Sequence, residues 1–265
     1  MRRLPRRKPH DLAAMRRAGR VVAEMHEAIR AVAAAGVTTG DLDRAARKVL
    51  ADNHAGSNFL GYHGFPAVIC ASVNDEVIHG IPGGRELHDG DVVSIDCGAI
   101  VDGWHGDAAF TMGIGAISAD AQRLLKATEE SLHAGIAQCL TTKRIGDIGA
   151  AVQGVAEDYG YSVVREFVGH GIGTSLHEDP QVPNYGPPGR RERLVPGLCL
   201  AIEPMVNVGR PEVRVLDDGW TAVTVDGSLS AHFELSLAVT RHGPWVLSEP
   251  YPYGREEETE AAAHA

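Results

Sequence analysis

Apolar residues at Leu12, Met15, Val22, Met25, Ile29 and Val32, with Gly19 on the same face, step by three or four and predict a long amphipathic helix closed by Gly36. Thr39-Gly40-Asp41-Leu42 opens a second helix that runs to about Asn53. After a loop rich in Gly, His and aromatics (56–66), the run 67–73 reads as a strand. Two extended runs, 91–101 and 104–112, flank Asp102-Gly103, the strongest hairpin signal in the chain. The order then begins again: a long helix from Ser118 to about Leu140, and a shorter one opened by Gly146-Asp147-Ile148 and reaching Tyr159. Next come a strand over 161–168, a Gly-rich loop holding His170 and His177, and strands over 198–206 and 230–239. Gly40-Asp41-Leu42 and Gly146-Asp147-Ile148 lie 106 residues apart; the acidic strand residues Asp96 and Glu203 lie 107 apart. Two agreeing offsets argue for two fused halves of an α+β fold rather than an alternating parallel sheet.

Composition narrows the classes. With 35 acidic and 25 basic side chains in 265 residues the chain carries a formal charge of −10, which disfavours a general nucleic-acid binder. No apolar run approaches the ~18 residues of a spanning helix, so a membrane protein is not expected. Cys70, Cys97, Cys139 and Cys199 are far apart and form neither a disulfide framework nor a zinc ribbon. Residues 1–10, with Arg2, Arg3, Arg6, Arg7 and Lys8, read as a flexible, solvated basic arm, or as a contact to an anionic surface such as ribosomal RNA. Residues 11–250 read as one internally pseudo-symmetric domain and 251–265 as a disordered acidic, Ala-rich tail.

Candidate chemistry lies in four acids and a histidine. With a two-residue turn at Asp102-Gly103, Val101 pairs with Trp104, and Asp96 and Asp107 fall on one face as diagonal neighbours roughly 7 Å apart. Glu203 and Glu234 each interrupt an apolar strand run, where a charge is costly unless paired or metal-bound. His170 stands among glycines in Gly169-His170-Gly-Ile-Gly173. Four carboxylates and one imidazole suit a pair of divalent ions (Mn, Co, Fe or Zn), a centre suited to hydrolysis.

Six short motifs in order, His79-Gly-Ile-Pro82, Asp96 with Asp107, Gly169-His170-Gly-Ile-Gly173, Leu176-His177-Glu178, Ile202-Glu203-Pro204 and His232-Phe-Glu234, resemble the methionine aminopeptidases over residues 12–250. The 33-residue interval from His170 to Glu203 resembles the type I class. The resemblance implies the pita-bread fold and two divalent ions held by Asp96, Asp107, His170, Glu203 and Glu234. Asp107 and Glu234 would touch both ions, Asp96 one, and His170 with Glu203 the other. It further implies that Glu203 shuttles a proton, that His177 steadies charge on the carbonyl oxygen and that His79 contacts the scissile amide nitrogen. Tyr62, Phe65, Cys70, Leu176 and Trp220, with His79 and His177, would form the methionine site; Cys70 and Leu176 are equally read as ordinary core. Leu176 replaces the family's usual Phe, so a thinner wall is expected there. The implied activity is removal of initiator Met from nascent proteins with a small second residue, by a cytoplasmic monomer making at most transient ribosome contact. Proline-directed relatives carry a large domain ahead of helix one, and a non-catalytic module would be expected to have lost ligands.

Overall fold

The computed structural model describes residues 4–249; the predicted tail at 251–265 lies outside the described residues. Helix α1 (Pro9–Val32) starts three residues before the first periodic apolar position. Pro9 has no N–H to leave unsatisfied in the first turn, and the Asp11 carboxylate accepts from the Lys8 backbone N–H at 2.8 Å. The expected basic arm is therefore laid against the body from Leu4 onward: the Arg7 N–H donates to Gly197 O at 2.7 Å, and the Arg7 guanidinium pairs with Glu178. Within this stretch the Arg7 side chain is mostly buried against a partly buried carboxylate, while Arg6 and Lys8 stay exposed.

Helices α2 (Thr39–Asp52), α3 (Ala119–Ala137) and α4 (Ile145–Asp158) follow the predicted spans closely. At the head of α2 the Asp41 carboxylate accepts from the Thr38 N–H at 2.9 Å, and at the head of α4 the Asp147 carboxylate accepts from the Arg144 N–H at 2.7 Å. The surroundings repeat too. Gly40 N–H donates to Gly83 O and Gly146 N–H to Arg190 O; Leu87 N–H donates to Val37 O and Leu194 N–H to Lys143 O. Each pair of equivalents is separated by 106 or 107 residues, so the internal repeat is structural.

The main sheet has nine antiparallel strands. Its path runs from Gly56–Ser57 through Val92–Val101, Trp104–Gly113, Glu234–Thr240, Cys199–Ile202 and Gly169–Gly171 to Glu178–Val182. Ile69–Val73 also pairs with Val92–Val101, and Gly243–Val246 with Glu234–Thr240. The hairpin register is the predicted one, with Val101 opposite Trp104. Asp102 and Gly103 both have positive φ (51° and 79°), as a tight two-residue turn matching strand twist requires. The two halves meet where Glu234–Thr240 pairs with Trp104–Gly113.

Alternation along these strands sorts the side chains. Val93, Ile95, Cys97, Ala108, Phe110, Leu200, Ile202, Leu237 and Val239 join the core that packs under the helices. Asp96, Asp107 and Glu234 occupy the opposite parity and look away from the helices. Helix α1 crosses the back of the hairpin at Gly106, where a Cβ would stand 2.6 Å from Gly19 N. This layout, helices outside a curled antiparallel sheet with two related halves, is the expected pita-bread α+β fold.

Two predicted strands are broken. The run 198–206 divides into Cys199–Ile202 and Met205–Asn207, and 230–239 into Ser230–His232 and Glu234–Thr240. Pro204 has no N–H for a ladder bond, and its carbonyl accepts instead from Phe233 N–H at 3.3 Å. Of the strand expected at 161–168 only Ser162–Val163 forms.

Candidate metal centre and substrate cavity

One row of paired positions crosses the site: Cys70 opposite Asp96, Asp96 opposite Ala109, Ala109 opposite Glu234. Asp107 sits two residues before Ala109 on the same face, and Glu203 follows the strand next to Glu234. His170 is opposite Ala201, which puts it diagonal to Glu203. The methyl group of Ala109 thus leaves room between two carboxylates.

All five predicted metal-ligating side chains are buried. Donor atoms of Asp107, His170 and Glu234 lie within 4.8 Å of one another. His170 Nε2 is 3.9 Å from Asp107 Oδ2 and 3.6 Å from Glu203 Oε1. Asp96 Oδ1, Asp107 Oδ1 and Glu234 Oε1 are sealed from solvent yet accept no hydrogen bond. Burial, above all, raises the four carboxyls: Asp96 to about 7, and Asp107, Glu203 and Glu234 well above the usual range. Each of those last three is raised further by its neighbouring carboxylates. The imidazole is arranged to match. The Nδ1–H of His170 donates to Gly171 O at 2.8 Å, leaving Nε2 with its lone pair toward the acids, and burial lowers its pKa to about 3. Orphaned carboxylate oxygens facing an unprotonated imidazole nitrogen are a donor set that divalent cations satisfy, with hard oxygens and one borderline nitrogen.

Beside this cluster opens a cavity of about 360 Å³, and all twelve sequence-predicted site residues line it. Phe65 and Trp220 meet edge to face at 5.1 Å, and with Cys70, Leu176 and Phe59 they form a separate apolar cluster. Cys70 and Leu176 are therefore both core and cavity wall. His79 holds φ at 62°, a sparsely populated conformation for a non-glycine residue, and lies between Phe167 at 5.4 Å and Trp220 at 6.1 Å. Burial, then the nearby His177, lowers its pKa to about 4. His177 is lowered by burial, His63 and His105. Tyr62 O–H reaches His177 Nδ1 at 2.7 Å; when the phenol donates, the proton of His177 sits on Nε2. Burial thus favours the neutral form of both imidazoles.

Sequence reasoning missed four aromatic or histidine residues here. Phe59 and Phe167 line the cavity from loops and His63 from the short 3-10 turn Tyr62–Gly64, too brief to mark a face. Phe59 stands in the same cluster as Leu176 and adds aromatic bulk to the wall expected to be thin. His232 is buried, with Nε2 3.8 Å from Glu203 Oε2 and without a hydrogen bond. Its place two residues before Glu234 was the available signal, since alternate strand residues share a face.

A site of this kind, buried acids and a histidine on a pita-bread sheet, defines a class of metal-dependent peptidase, and the sequence pattern of metallopeptidase family M24 matches residues 13–241. The chain is 50% identical over 252 residues to methionine aminopeptidase 1 of Mycobacterium tuberculosis (92% of this chain, 95% of that one). It is 49% identical over 239 residues to the methionine aminopeptidase of Clostridium perfringens (90% and 96%). Among solved structures, the methionine aminopeptidase of Thermotoga maritima superposes with a TM-score of 0.92 at 40% identity, covering 93% of this chain and all of that one. The prolidase of Pyrococcus horikoshii, at 16% identity and a TM-score of 0.74, shares the fold, and this chain covers 64% of it. The chain belongs to the methionine aminopeptidases of family M24.

Proposed function

We propose that this chain removes N-terminal methionine from newly made proteins whose second residue is small, using two divalent ions held by Asp96, Asp107, His170, Glu203 and Glu234. The observation that carries the reading is the convergence of buried, unpartnered acids from both halves beside an apolar cavity that also presents two neutral imidazoles. Cobalt, manganese, iron and zinc all suit four carboxylates with one imidazole. When bound, such ions polarise a carbonyl and make water nucleophilic at neutral pH.

The chain's own residues supply the rest. The methionine side chain fills the space between Tyr62, Phe65, Cys70, Leu176 and Trp220, a lining that is apolar apart from the phenol, with polarisable sulfur. His177, oriented through Tyr62, directs its Nε2–H at the oxygen where charge develops. His79, fixed between two aromatic rings, accepts from the scissile amide N–H. Glu203 faces both His170 and His232 and carries the proton from water to the leaving amine. We further infer a cytoplasmic monomer; any ribosome contact would involve the basic N-terminal arm. Among the described residues no helix is long and apolar enough to cross a membrane.

Free methionine released from Met-Ala-Ser, with and without a chelator, tests the reading. Release that stops with chelator and returns with added divalent ion is expected, with Met-Lys-Ser cleaved at least about tenfold more slowly. Chelator-insensitive release, or equal cleavage of the two peptides, would contradict it.

A further inference from the structure

The arm at Leu4–Lys8 is absorbed by neither the fold nor the proposed chemistry, yet it touches the loop that carries two site residues. One Arg7 guanidinium nitrogen lies against both Glu178 oxygens, and the two side chains are 15% and 13% exposed. Glu178 in turn ties down the preceding turn: its Oε1 accepts from Thr174 N–H at 2.9 Å and Ser175 N–H at 3.3 Å. Between those anchors hang Leu176 and His177, the cavity wall and the imidazole bonded to Tyr62.

The arm is held in turn by what surrounds it. The Arg7 guanidinium packs over the Trp104 ring at 5.2 Å, and the Arg7 N–H donates to Gly197 O. A Cβ on Gly173 would stand 2.0 Å from the guanidinium, and one on Gly197 2.4 Å from the Arg7 carbonyl oxygen. At the last glycine of Gly169-His170-Gly-Ile-Gly173 the space a Cβ would take is filled by a side chain from the N-terminus.

We propose that Arg7 is a positioning residue for the peptidase reaction: by clamping Glu178 it holds the 173–178 loop so that His177 and Leu176 meet the substrate in register. The inference rests on the peptidase reading above. A carboxylate already accepting from two backbone N–H groups but lacking its cation would be partly buried and uncompensated, and would turn toward solvent, releasing the turn. Because a single nitrogen meets both oxygens, the positive charge matters more than the fork, and a lysine ammonium can take its place.

The test is a double-mutant cycle on the metal-loaded chain, with Arg7→Met made alone and in His177→Ala, and Arg7→Lys as the conservative variant. Arg7→Met is expected to lower kcat on Met-Ala-Ser about tenfold in the native background and less than about twofold in His177→Ala, with KM little changed. Arg7→Lys should recover most of the rate. Hydrogen exchange should show amides 174–178 exchanging at least about tenfold faster in Arg7→Met, with the helices unchanged. An unchanged kcat, an equal loss in both backgrounds, or unaltered exchange at 174–178 would overturn the proposal. If Arg7→Met does not fold, Glu178→Gln, which keeps the acceptor and removes the charge, is put through the same cycle with the same criteria. A wild-type chain that releases no methionine would refute the peptidase reading, while the exchange arm still decides whether Arg7 fixes the loop.

Discussion

The two halves share a scaffold and differ in how they deliver functional groups. In the first, Asp96 and Asp107 come from two unbroken ten-residue strands whose register is set by a two-residue turn. In the second, Glu203 and Glu234 stand at breaks, one before Pro204 and one after Phe233; His170 comes from the short strand Gly169–Gly171 and His177 from the loop that follows it. The repeated parts (helix pair, acid-capped second helix, central strands) determine where the groups converge. Backbone outside the paired strands, in both halves, supplies His79 and His177 and much of the cavity wall.

The sharpest way to break this comparison is at the junction of the halves. Asp107→Asn and Glu234→Gln each remove one of the two acids on the central strand pair. Each is expected to lower kcat/KM by about a thousandfold or more, with metal content after dialysis falling in parallel and Tm no longer rising on addition of Mn or Co. A variant that keeps its metal and its rate would remove that residue from the centre. Next come the groups supplied by irregular backbone. His79→Ala and His177→Ala should lower kcat about a hundredfold with metal retained, because each loses a hydrogen-bonding group rather than a ligand. Loss of metal in either would place that imidazole among the ligands instead.

The scaffold itself can be tested in matched pairs. A Cβ on Gly40 would sit 2.9 Å from Gly83 O, and one on Gly146 2.7 Å from Pro187 O. Gly40→Ala and Gly146→Ala should therefore each cost about 2 kcal/mol in denaturant unfolding, and by similar amounts. A large cost in one half and none in the other would show that the repeat is not mechanically equivalent.

The smallest effect sets apart one residue without a counterpart. His26 is half-buried against the hairpin, its Nε2–H donating to Ala108 O at 3.0 Å, while the place 106 residues on holds Leu132. Burial lowers the His26 pKa to about 3, with the Ala108 hydrogen bond opposing and Arg30 assisting. The unfolded chain gains a proton here below about pH 6.5 that the native chain refuses, so stability contributed by His26 is full above that pH and lost as pH falls toward 3. His26→Gln keeps a donor to Ala108. The stability gap between wild type and this variant should shrink by about 2 kcal/mol from pH 7 to pH 5, read as denaturant midpoints at constant m. A gap independent of pH would mean that His26 is not held neutral.

Much of this was legible in the sequence because the signals were local. The Asp102-Gly103 turn sets parity for every hairpin residue, so the shared face of Asp96 and Asp107 followed from counting. The paired Gly-Asp helix starts disclosed the repeat. Acids inside apolar runs marked themselves by their cost. What stayed hidden depended on partners distant in the chain. The end of the strand at Ile202 follows from Pro204, whose carbonyl finds Phe233 across the break. Phe59 and Phe167 reach the cavity from loops of no fixed period, and Arg7 looked like a solvated charge because Glu178 lies 171 residues away.

Where helix α1 crosses the hairpin, backbone meets backbone at Gly19 and Gly106 with no side chains between to act as a cushion. The residue after Gly106 is Asp107. The position of that helix and the place of the carboxylate are thus set by one backbone contact that tolerates no larger residue at Gly106.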